Sequence, residues 1–478
     1  MAICNNPMSN SYSVRNPRTG KVDYWITPPT PEQLNIQCSR LREAQIDWQH
    51  KGLEWRIEVL QAWKQALLSQ KDDLIQALVA DTGRWSVSVM EFDSLIFSID
   101  RWCRLAPELL SVEEEKVTAI PFINMKNECV PYSLVGVISP WNFPLLLSAI
   151  DTIPALLAGC AVVVKPSEFT PRFIQPLSEA IASVPQLQHI LAYFEGTGDT
   201  GAALIECVDL VCFTGSVATG QKVAEAAARH FIPAFLELGG KDPAIVLDSA
   251  DLDLATSAIL WGSVVNAGQS CLSIERIYVA ETIIEPFVEQ LVEKTHHLNL
   301  CYPSPADGEI GPIITEPQAE IIKDHLQDAV QKGAVVCCGG GVEELDGGLW
   351  CRPTVLTHVN HLMKVMTQET FGPIMPVMPF STLEEAVELA NDTIYGLSAA
   401  VFAGSEAEAL AVASRLDVGA VSINDAGLTA LVHEAEKNSF KFSGLGGSRM
   451  GPAALKRFMR KKAFLIKTEP VRDPWWFR

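Results

Sequence analysis

The stretch SLVGVISPWNFPLLLSAIDTIPALLAGCAVVVKPSE, residues 133–168, decides the fold class of this chain. Two short runs rich in β-branched residues, SLVGVIS and AVVVK, enclose a longer segment of helical character. Apolar runs separated by helices are typical of a parallel sheet that is covered on both faces. The same alternation continues through LQHILAYFEG, DLVCFTGS, FIPAFLELGG and AIVL. The sequence therefore predicts an α/β fold.

A second alternating series runs from ERIYVAE at Glu275 through AVVCCGGG, PTVLTHV, MPVMPF, LSAAVFAG and GAVSIN. It predicts a second α/β domain that begins near Gly240. Before both series, apolar residues recur at helical spacing, and the DTG at 81–83 predicts the end of that helical region. The residues of this stripe are Leu60, Trp63, Leu67, Leu74 and Leu78.

Length and composition exclude several classes of protein. A chain of 478 residues exceeds one ordinary core, so two or three domains are expected. The formal net charge of −20 repels phosphates, and no nucleic-acid partner is expected. The N-terminus lacks a basic region followed by an apolar run, which favours a cytoplasmic protein with its 12 cysteines as free thiols. Cys337 and Cys338 lack the spacing of a zinc site, so no metal is expected.

The C-terminal end is basic and aromatic. KRFMRKKAFLIK at 456–467 precedes the final PWWFR. The favoured interpretation is a strand at an interface between subunits. The alternative is a weak contact with a membrane surface through the basic residues and Trp475, Trp476 and Phe477.

The first motif that could carry chemistry is SPWNFPLLL. Asn142 follows a strand of buried type and lies between Pro140 and Pro144, which restrict the backbone on both sides. An amide held in this way can donate a hydrogen bond to a developing oxyanion. Taken alone, the motif favours an ordinary turn asparagine.

The second motif, VVVKPSEFTP, places Lys165 and Glu168 at the carboxyl end of a strand. Open α/β sheets bind ligands at that edge, and Glu168 could accept hydrogen bonds from both ribose hydroxyls of an adenosine. A carboxylate there repels a 2′-phosphate, which favours NAD over NADP. An ion pair between residues three apart is an equally good interpretation of this motif in isolation.

Two glycine turns follow. Gly196, Gly198 and Gly201 have the G-x-G-x-x-G spacing, but the acidic residue expected about 20 positions later is absent. FTGS then places Ser216 at the start of a predicted helix, where backbone N–H groups could hold a pyrophosphate.

LELGGKDP and NAGQSC supply a carboxylate and a thiol. Glu237 ends a predicted strand before two glycines, and Cys271 precedes another strand. The two residues could form a base and a nucleophile, with Glu237 activating the thiol or a later water. The alternatives are a turn at Glu237 and a small apolar filler at Cys271.

Together, PWNFP, LELGGK, NAGQSC and QETFGPI occur in the order and at the intervals of the aldehyde dehydrogenase superfamily, which this chain resembles. The resemblance runs from NPRTG at Asn16 to SGLGGSRMG near Ser443. It implies a Rossmann-like cofactor domain, a second α/β catalytic domain and a small β oligomerisation element. It also implies a homodimer or homotetramer. The corresponding ranges are 1–120 with 138–239, then 240–440, and finally 121–137 with 441–478.

The resemblance also implies roles for single residues. Cys271 would attack an aldehyde, Asn142 and the Cys271 backbone N–H would hold the oxyanion, and Glu237 would activate the water that hydrolyses the thioester. The implied cofactor is NAD, with NADP as the alternative. The residues expected to contact it are Ile138, Ser139, Pro140, Trp141, Lys165, Glu168, Gly198, Gly215, Ser216, Leu238, Glu369 and Phe371.

One segment departs from the family pattern, since HEAEKNSFKFSGLGG replaces the usual Pro-Phe-Gly-Gly. His433, Glu434 and Lys437 either set substrate polarity or line a solvated surface, and the second is favoured. The expected tunnel walls predict an apolar aldehyde, aliphatic, aromatic or isoprenoid-like. A semialdehyde dehydrogenase, a CoA-acylating relative and a non-catalytic protein that retains the fold are the alternatives. The tunnel residues are Phe143, Leu147, Ile150, Ser270, Leu272 and Leu428.

Overall fold

Two largely parallel sheets organise the chain, which the computed structural model describes over residues 11–111, 114–120 and 122–469. A two-stranded ribbon and four helices come first. Their bounds, with those of the two strands that follow, are β1 (Tyr12–Arg15), β2 (Val22–Ile26), α1 (Pro31–His50), α2 (Leu53–Ser69), α3 (Lys71–Thr82), α4 (Ser86–Leu109), β3 (Lys116–Val117) and β4 (Ile123–Pro131).

The first large sheet has the strand order β21-β9-β8-β5-β6-β7, in which all neighbours except β21 and β9 are parallel. Every residue of β5, β6 and β8 is buried, as expected for β-branched runs covered by helices on both faces. The elements are β5 (Leu134–Ile138), α5 (Pro144–Ala149), α6 (Thr152–Ala158), β6 (Ala161–Lys165), α7 (Ile174–Ala182), β7 (Leu191–Tyr193), α8 (Gly198–Ile205), β8 (Leu210–Thr214), α9 (Val217–Arg229) and β9 (Ala234–Glu237).

The second large sheet has the order β12-β15-β16-β11-β10-β18-β19 and is parallel except at β12. The predicted α/β fold is thus confirmed. The elements are β10 (Asp242–Val246), α10 (Leu252–Val264), β11 (Ile274–Ala280), α11 (Ile284–His296), α12 (Glu316–Gln331), β12 (Val335–Cys338), β13 (Val342–Leu345), β14 (Gly348–Cys351), β15 (Thr354–Thr357), α13 (Lys364–Thr367), β16 (Ile374–Phe380), α14 (Leu383–Asn391), β17 (Tyr395–Gly396), β18 (Ser398–Phe402), α15 (Glu406–Ala413), β19 (Ala420–Ile423), α16 (Leu428–Leu431), β20 (Phe440–Lys441), β21 (Gly444–Leu445), α17 (Ala453–Lys456) and β22 (Met459–Lys467).

The helical stripe predicted before the sheets is confirmed, but two helices share it. All five of its side chains are completely buried. The stripe breaks at Gln70, between α2 and α3. Helix α3 then ends at Gly83, whose φ of 77° is in the left-handed region that favours glycine.

Within the two ranges expected to form the oligomerisation element, β4 and β22 pair with each other. β22 lies antiparallel to β4 along its whole length, from Met459 opposite Pro131 to Lys467 opposite Ile123. The result is a three-stranded sheet in which β22 is an edge strand. The aromatic residues that follow lie outside the described part of the chain.

Two apolar cores underlie the two sheets. The first combines residues between 34 and 238 with Ala454, Leu455 and Phe458, while the second lies between 244 and 426. The short strand β21 extends the first sheet from the C-terminal side. The domain boundaries expected from the resemblance remain a prediction. Among the described helices, none is long and apolar enough to cross a membrane.

Candidate functional site

The loop that carries Cys271 has an unusual backbone. After α10, Asn266 and Ala267 adopt φ values of 57° and 54°, which are uncommon for residues with a side chain. Side-chain hydrogen bonds hold this turn, because Asn266 Nδ2 donates to Gln269 O at 3.0 Å and Gln269 Nε2 donates to Asn266 O at 3.0 Å. The loop therefore presents Cys271, half-buried, just before β11.

Asn142 approaches this loop from the first sheet. Its side chain is buried, and Nδ2 donates to Gln269 O at 3.0 Å. The backbone carbonyl oxygen of Asn142 accepts hydrogen bonds from Asn266 Nδ2 at 2.9 Å and from Arg84 Nη2 at 2.8 Å. An amide nitrogen carries two hydrogens, so one remains available for a substrate oxygen. The structure thus brings the predicted oxyanion donor against the loop of the predicted nucleophile.

A buried ion pair supports Asn142, and sequence analysis missed it. Arg84 Nη2 lies 3.4 Å from Glu91 Oε1, and both side chains are almost fully buried. Glu91 Oε2 accepts the backbone N–H groups of Leu145 at 3.2 Å and Leu146 at 3.3 Å, at the start of α5. Burial raises the pKa of Glu91 to about 7 and lowers that of Arg84 to about 10. Glu91, a charged residue inside the helical segment of α4, was the only signal in the sequence, since Arg84 lies in the connection between α3 and α4.

Glu237 ends β9 on the opposite side of the site. It is half-buried, and its Oε2 accepts a hydrogen bond from Ser439 Oγ at 2.9 Å. Its backbone pairs with Gly444 of β21. Among the described residues, Cys271 Sγ forms no hydrogen bond. Glu237 therefore lies near the thiol but does not form a hydrogen bond with it.

Two glycines after Glu237 allow the close approach that the sequence suggested. A Cβ on Gly240 would lie 2.5 Å from the carbonyl oxygen of Cys271, and one on Gly239 would lie 2.4 Å from Glu369 Oε2. The backbone N–H of Gly240 donates to Glu369 Oε1 at 3.1 Å. Burial raises the pKa of Glu369 to about 8, and the neighbouring Glu275 adds to the effect. The structure therefore brings three motifs into contact, namely LELGG, GQSC and QETF.

A second buried ion pair ties these motifs together and was also missed. Lys241 Nζ lies 2.5 Å from Glu275 Oε2, and both side chains are almost inaccessible. The Glu275 carboxylate also accepts the backbone N–H groups of Thr370 at 2.7 Å and Phe371 at 2.8 Å. Lys241 Nζ donates in addition to Thr370 Oγ1 at 3.0 Å. This network positions the loop that bears Glu369 and Phe371.

Electrostatics at the thiol are set by burial and by one lysine. Burial raises the pKa of Cys271 to about 12, and the charge of Lys437 opposes that rise. Glu369, Asp242 and Glu237 each add smaller increases. Lys437 is half-buried, so the favoured interpretation of a solvated surface does not describe it. The segment that departs from the family pattern places a cation near the nucleophile.

The other two residues singled out in that segment, His433 and Glu434, differ in exposure. His433 is half-buried, its carbonyl oxygen accepts from Arg101 Nη1 at 3.3 Å, and burial lowers the pKa of its imidazole. Glu434 is exposed. For Glu434 the solvated interpretation fits.

The predicted cofactor residues lie at the carboxyl edge of the first sheet. Ile138 ends β5 and Lys165 ends β6, while Gly215 follows β8. Ser139 is buried, and its Oγ has no hydrogen-bond partner among the described residues. A buried hydroxyl without a partner at this edge fits a polar group of a bound ligand.

Lys165 and Glu168 form the ion pair that the sequence left open. Lys165 Nζ lies 3.1 Å from Glu168 Oε2, with the lysine side chain 6% exposed and the carboxylate 34% exposed. The ion pair leaves Glu168 able to bind a ribose, because a carboxylate accepts up to four hydrogen bonds.

Helix α9 begins beside this edge. Ser216 is its N-cap and accepts from the backbone N–H of Thr219 at 3.4 Å. A Cβ on Gly220 would lie 2.5 Å from Leu238 Cδ2, so the helix packs directly on Leu238. The free N–H groups of the first turn can bind a phosphate. Gly198, at the start of α8, is exposed and has open space around it.

Two aromatic rings lie between the cofactor edge and the thiol loop. Trp141 and Phe371 meet edge to face with ring centroids 5.4 Å apart, and Phe371 has a φ of 50°. Pro140, just before Trp141, is half-buried. The orphaned Ser139 hydroxyl, the N-terminus of α9 and these rings together fit a dinucleotide with a nicotinamide group.

The predicted substrate residues fall into three groups. Phe143, Leu147 and Ile150 are half-buried and occur at intervals of four and three, which places them on one face of α5 and its end. Ser270 and Leu272 are half-buried and flank Cys271. Leu428 begins α16 and is 37% exposed, which places it at the surface.

Comparison with known proteins agrees with this arrangement. The family model described as "Aldehyde dehydrogenase family" matches residues 5–464. A protein of Mycolicibacterium smegmatis named as a putative succinate-semialdehyde dehydrogenase of the NADP(+) type is 35% identical over 90% of this chain and 83% of its own length. The 4,4'-diapolycopene aldehyde oxidase of a Methylomonas species is 36% identical over 83% of this chain and 74% of its own length.

Solved structures give the same result. The putative aldehyde dehydrogenase PutA of Anabaena variabilis is 68% identical, with a TM-score of 0.96 over 98% of this chain and 100% of its own. Betaine aldehyde dehydrogenase of Staphylococcus aureus, solved in complex with NAD+, is 31% identical, with a TM-score of 0.91 over 98% of this chain and 93% of its own. The family model, the relatives and the shared fold all lead to one conclusion. This chain belongs to the aldehyde dehydrogenase family.

Proposed function

We propose that this protein oxidises an aldehyde to the carboxylic acid, with Cys271 as nucleophile. The observation that carries the proposal is the convergence of three motifs on one loop. Asn142 Nδ2 bonds to Gln269 O, Gly240 packs on the Cys271 carbonyl oxygen, and Glu237 lies close enough to influence the thiol.

Each of these residues can act in a particular step of the reaction. Cys271 loses its proton to water, the thiolate sulfur attacks the aldehyde carbon as the carbonyl π bond breaks, and the oxygen that becomes negative accepts hydrogen bonds from Asn142 Nδ2 and the Cys271 backbone N–H. After loss of hydride, the carbon is held as a thioester. Glu237 takes a proton from water, the water oxygen attacks the thioester carbon, and the carbon–sulfur bond breaks. The acid leaves and the thiol is restored.

The cofactor that fits the carboxyl edge of the first sheet is NAD. A bound nicotinamide dinucleotide would supply the hydride acceptor. Ser216 and the first turn of α9 would hold its pyrophosphate, and Lys165 with Glu168 would hold the adenosine ribose. The negative charge of Glu168 disfavours a 2′-phosphate. Because the mycobacterial relatives are named as NADP(+) enzymes, NADP is the alternative to be tested.

The substrate proposed is an apolar aldehyde, aliphatic, aromatic or isoprenoid-like. Phe143, Leu147 and Ile150 form an apolar face beside the Cys271 loop. Leu428 and Leu431 of α16 are exposed apolar side chains. We take the name of the Methylomonas relative, a 4,4'-diapolycopene aldehyde oxidase, as support for this class.

A second candidate is a semialdehyde that carries a distal carboxylate. The observation in its favour is Lys437, whose charge acts on the thiol from the substituted segment. The relatives named as succinate-semialdehyde dehydrogenases point the same way. Lysine at this position could pair with a carboxylate without the bidentate geometry of an arginine.

A substrate panel tests both candidates. The purified protein is given decanal, benzaldehyde or succinic semialdehyde with either NAD or NADP, and formation of the reduced cofactor is followed by absorbance. We expect a higher kcat/KM for decanal or benzaldehyde, with NAD. A clear preference for succinic semialdehyde would establish the second candidate. Acyl-CoA formation when CoA is added would indicate a CoA-acylating enzyme, and no turnover with any aldehyde would indicate a non-catalytic protein.

We also propose that the protein associates with itself through β22. This strand lies at the edge of its sheet among the described strands and exposes Phe464, Leu465 and Ile466, and an exposed apolar edge strand favours pairing with another chain. Light scattering on the intact chain should give a dimer or tetramer, and a monomer would refute the proposal.

A further inference from the structure

Ser439 is the residue on which this inference rests. It belongs to the segment that replaces the usual Pro-Phe-Gly-Gly, and its Oγ donates to Glu237 Oε2 at 2.9 Å. Among the described residues, this is the only hydrogen bond that the Glu237 carboxylate receives. The substitution therefore supplies a hydroxyl that the usual segment does not offer, directly on the proposed base.

The backbone around Ser439 is fixed against the strand that carries Glu237. Leu238 donates its N–H to Ser443 O at 2.8 Å, and Ser443 Oγ donates to Gly239 O at 2.7 Å. Phe440, next to Ser439, pairs with Gly396 in β20 and β17. Ser443, four residues after Ser439, is thus hydrogen-bonded to Leu238 and Gly239, the two residues after Glu237. These bonds hold the Ser439 hydroxyl in place.

Such a bond decides how the carboxylate is oriented. With Oε2 occupied by the serine hydroxyl, Oε1 remains free to accept a proton from water. Because Cys271 Sγ forms no hydrogen bond among the described residues, this orientation does not engage the thiol. It suits the hydrolytic step, in which the water proton passes to Oε1 and the water oxygen attacks the thioester. Ser439 keeps its own proton throughout.

We propose that Ser439 is a positioning residue that orients Glu237 for hydrolysis of the acyl-enzyme. The inference rests on the proposed function, since it requires an acyl group on Cys271. It predicts that the hydroxyl matters for deacylation and not for the steps before it.

The experiment uses an activated ester, p-nitrophenyl acetate, which acylates a reactive thiol without cofactor. Release of nitrophenol reports acylation, and intact-mass spectrometry follows the loss of the acetyl group from Cys271. The variants are Ser439→Ala, Ser439→Gly and Ser439→Thr, each checked for folding by circular dichroism. The matched control is Ser414→Ala, because Ser414 Oγ donates to Ala411 O at 3.1 Å in an exposed helix end away from the site.

We expect deacylation to slow about tenfold in Ser439→Ala and Ser439→Gly, the scale of one hydrogen bond to a charged group. Acylation should change less than twofold, Ser439→Thr should restore deacylation, and Ser414→Ala should match the wild type. Deacylation at the wild-type rate in both deletion variants, or equal losses in both steps, would overturn the inference. A wild-type protein whose Cys271 is acylated but oxidises no aldehyde would refute the proposed function instead.

Discussion

Removing the charge of Glu275 should destabilise the protein strongly, because it leaves an ammonium group buried without its partner. Glu275 Oε2 lies 2.5 Å from Lys241 Nζ, and neither side chain is accessible. In Glu275→Gln the single amide oxygen can accept only one of the N–H groups of Thr370 and Phe371, because the two bond to different carboxylate oxygens in the wild type. Lys241 keeps only its bond to Thr370 Oγ1 at 3.0 Å.

Breaking a buried pair in this way costs about 3–5 kcal/mol. With a urea m-value of about 3 kcal/mol/M, the midpoint of unfolding should fall by about 1–1.7 M. The double variant Lys241→Met with Glu275→Gln removes both charges and keeps an acceptor for one of the two backbone N–H groups. The free energy of unfolding of the double variant should fall by only about 1–2 kcal/mol, less than that of Glu275→Gln alone.

The effect should also depend on pH. Burial lowers the pKa of Lys241, and loss of Glu275 removes the largest opposing influence. The folded-state pKa then lies well below the unfolded value, so the unfolded chain binds more protons between the two pKa values. The stability of Glu275→Gln should therefore rise as the pH increases towards the unfolded pKa of lysine, about 10.4.

The assay is urea denaturation of the wild type, both single variants and the double variant, followed by intrinsic fluorescence at neutral and alkaline pH. A double variant whose loss equals the sum of the two single losses would refute the reasoning, since it would show no coupling between the charges. The Michaelis constant for NAD should also rise in Glu275→Gln, because the loop that carries Glu369 and Phe371 loses its anchor.

Three further outcomes are expected. Asn142→Ala should lower kcat by about 10²–10³, the scale for one oxyanion donor, and an unchanged rate in aldehyde oxidation would contradict that role. Lys437→Gln should raise the pKa of Cys271 further and slow its alkylation by iodoacetamide at a given pH, whereas equal rates would show that the lysine charge does not reach the thiol. Gly240→Ala should reduce turnover by about 100-fold, because its Cβ would lie 2.5 Å from the Cys271 carbonyl oxygen, while Gly341→Ala, with open space around it, should keep full activity.

Sequence patterns gave the proposed reacting groups but not the groups that hold them. Cys271, Glu237 and Asn142 stand in short motifs with flanking glycines or prolines, and the structure brings all three to one site. Arg84 stands in no such motif, and nothing in the motif around Glu275 indicated that it pairs with Lys241. Their importance comes from burial of a charge against a distant partner, which neither spacing nor composition reveals.

The segment after Leu431 also shows what the sequence could not predict. Its departure from the family pattern was visible in the sequence, and charge runs in loops favoured a solvated surface for Lys437. Only the folded backbone shows that Lys437 is half-buried near the thiol and that Ser439 bonds to Glu237.

The sequence by itself determined the α/β class, the two sheet regions, the helical stripe before them and the identity of the proposed nucleophile. These follow from local periodicity and from motifs whose residues are close along the chain. The tertiary structure alone decided which charges are paired in the interior, which orientation Glu237 adopts and how three motifs share one loop. Those properties depend on distances between residues far apart in sequence, because the energy of a buried charge or hydrogen bond is set by whatever partner the fold brings within reach.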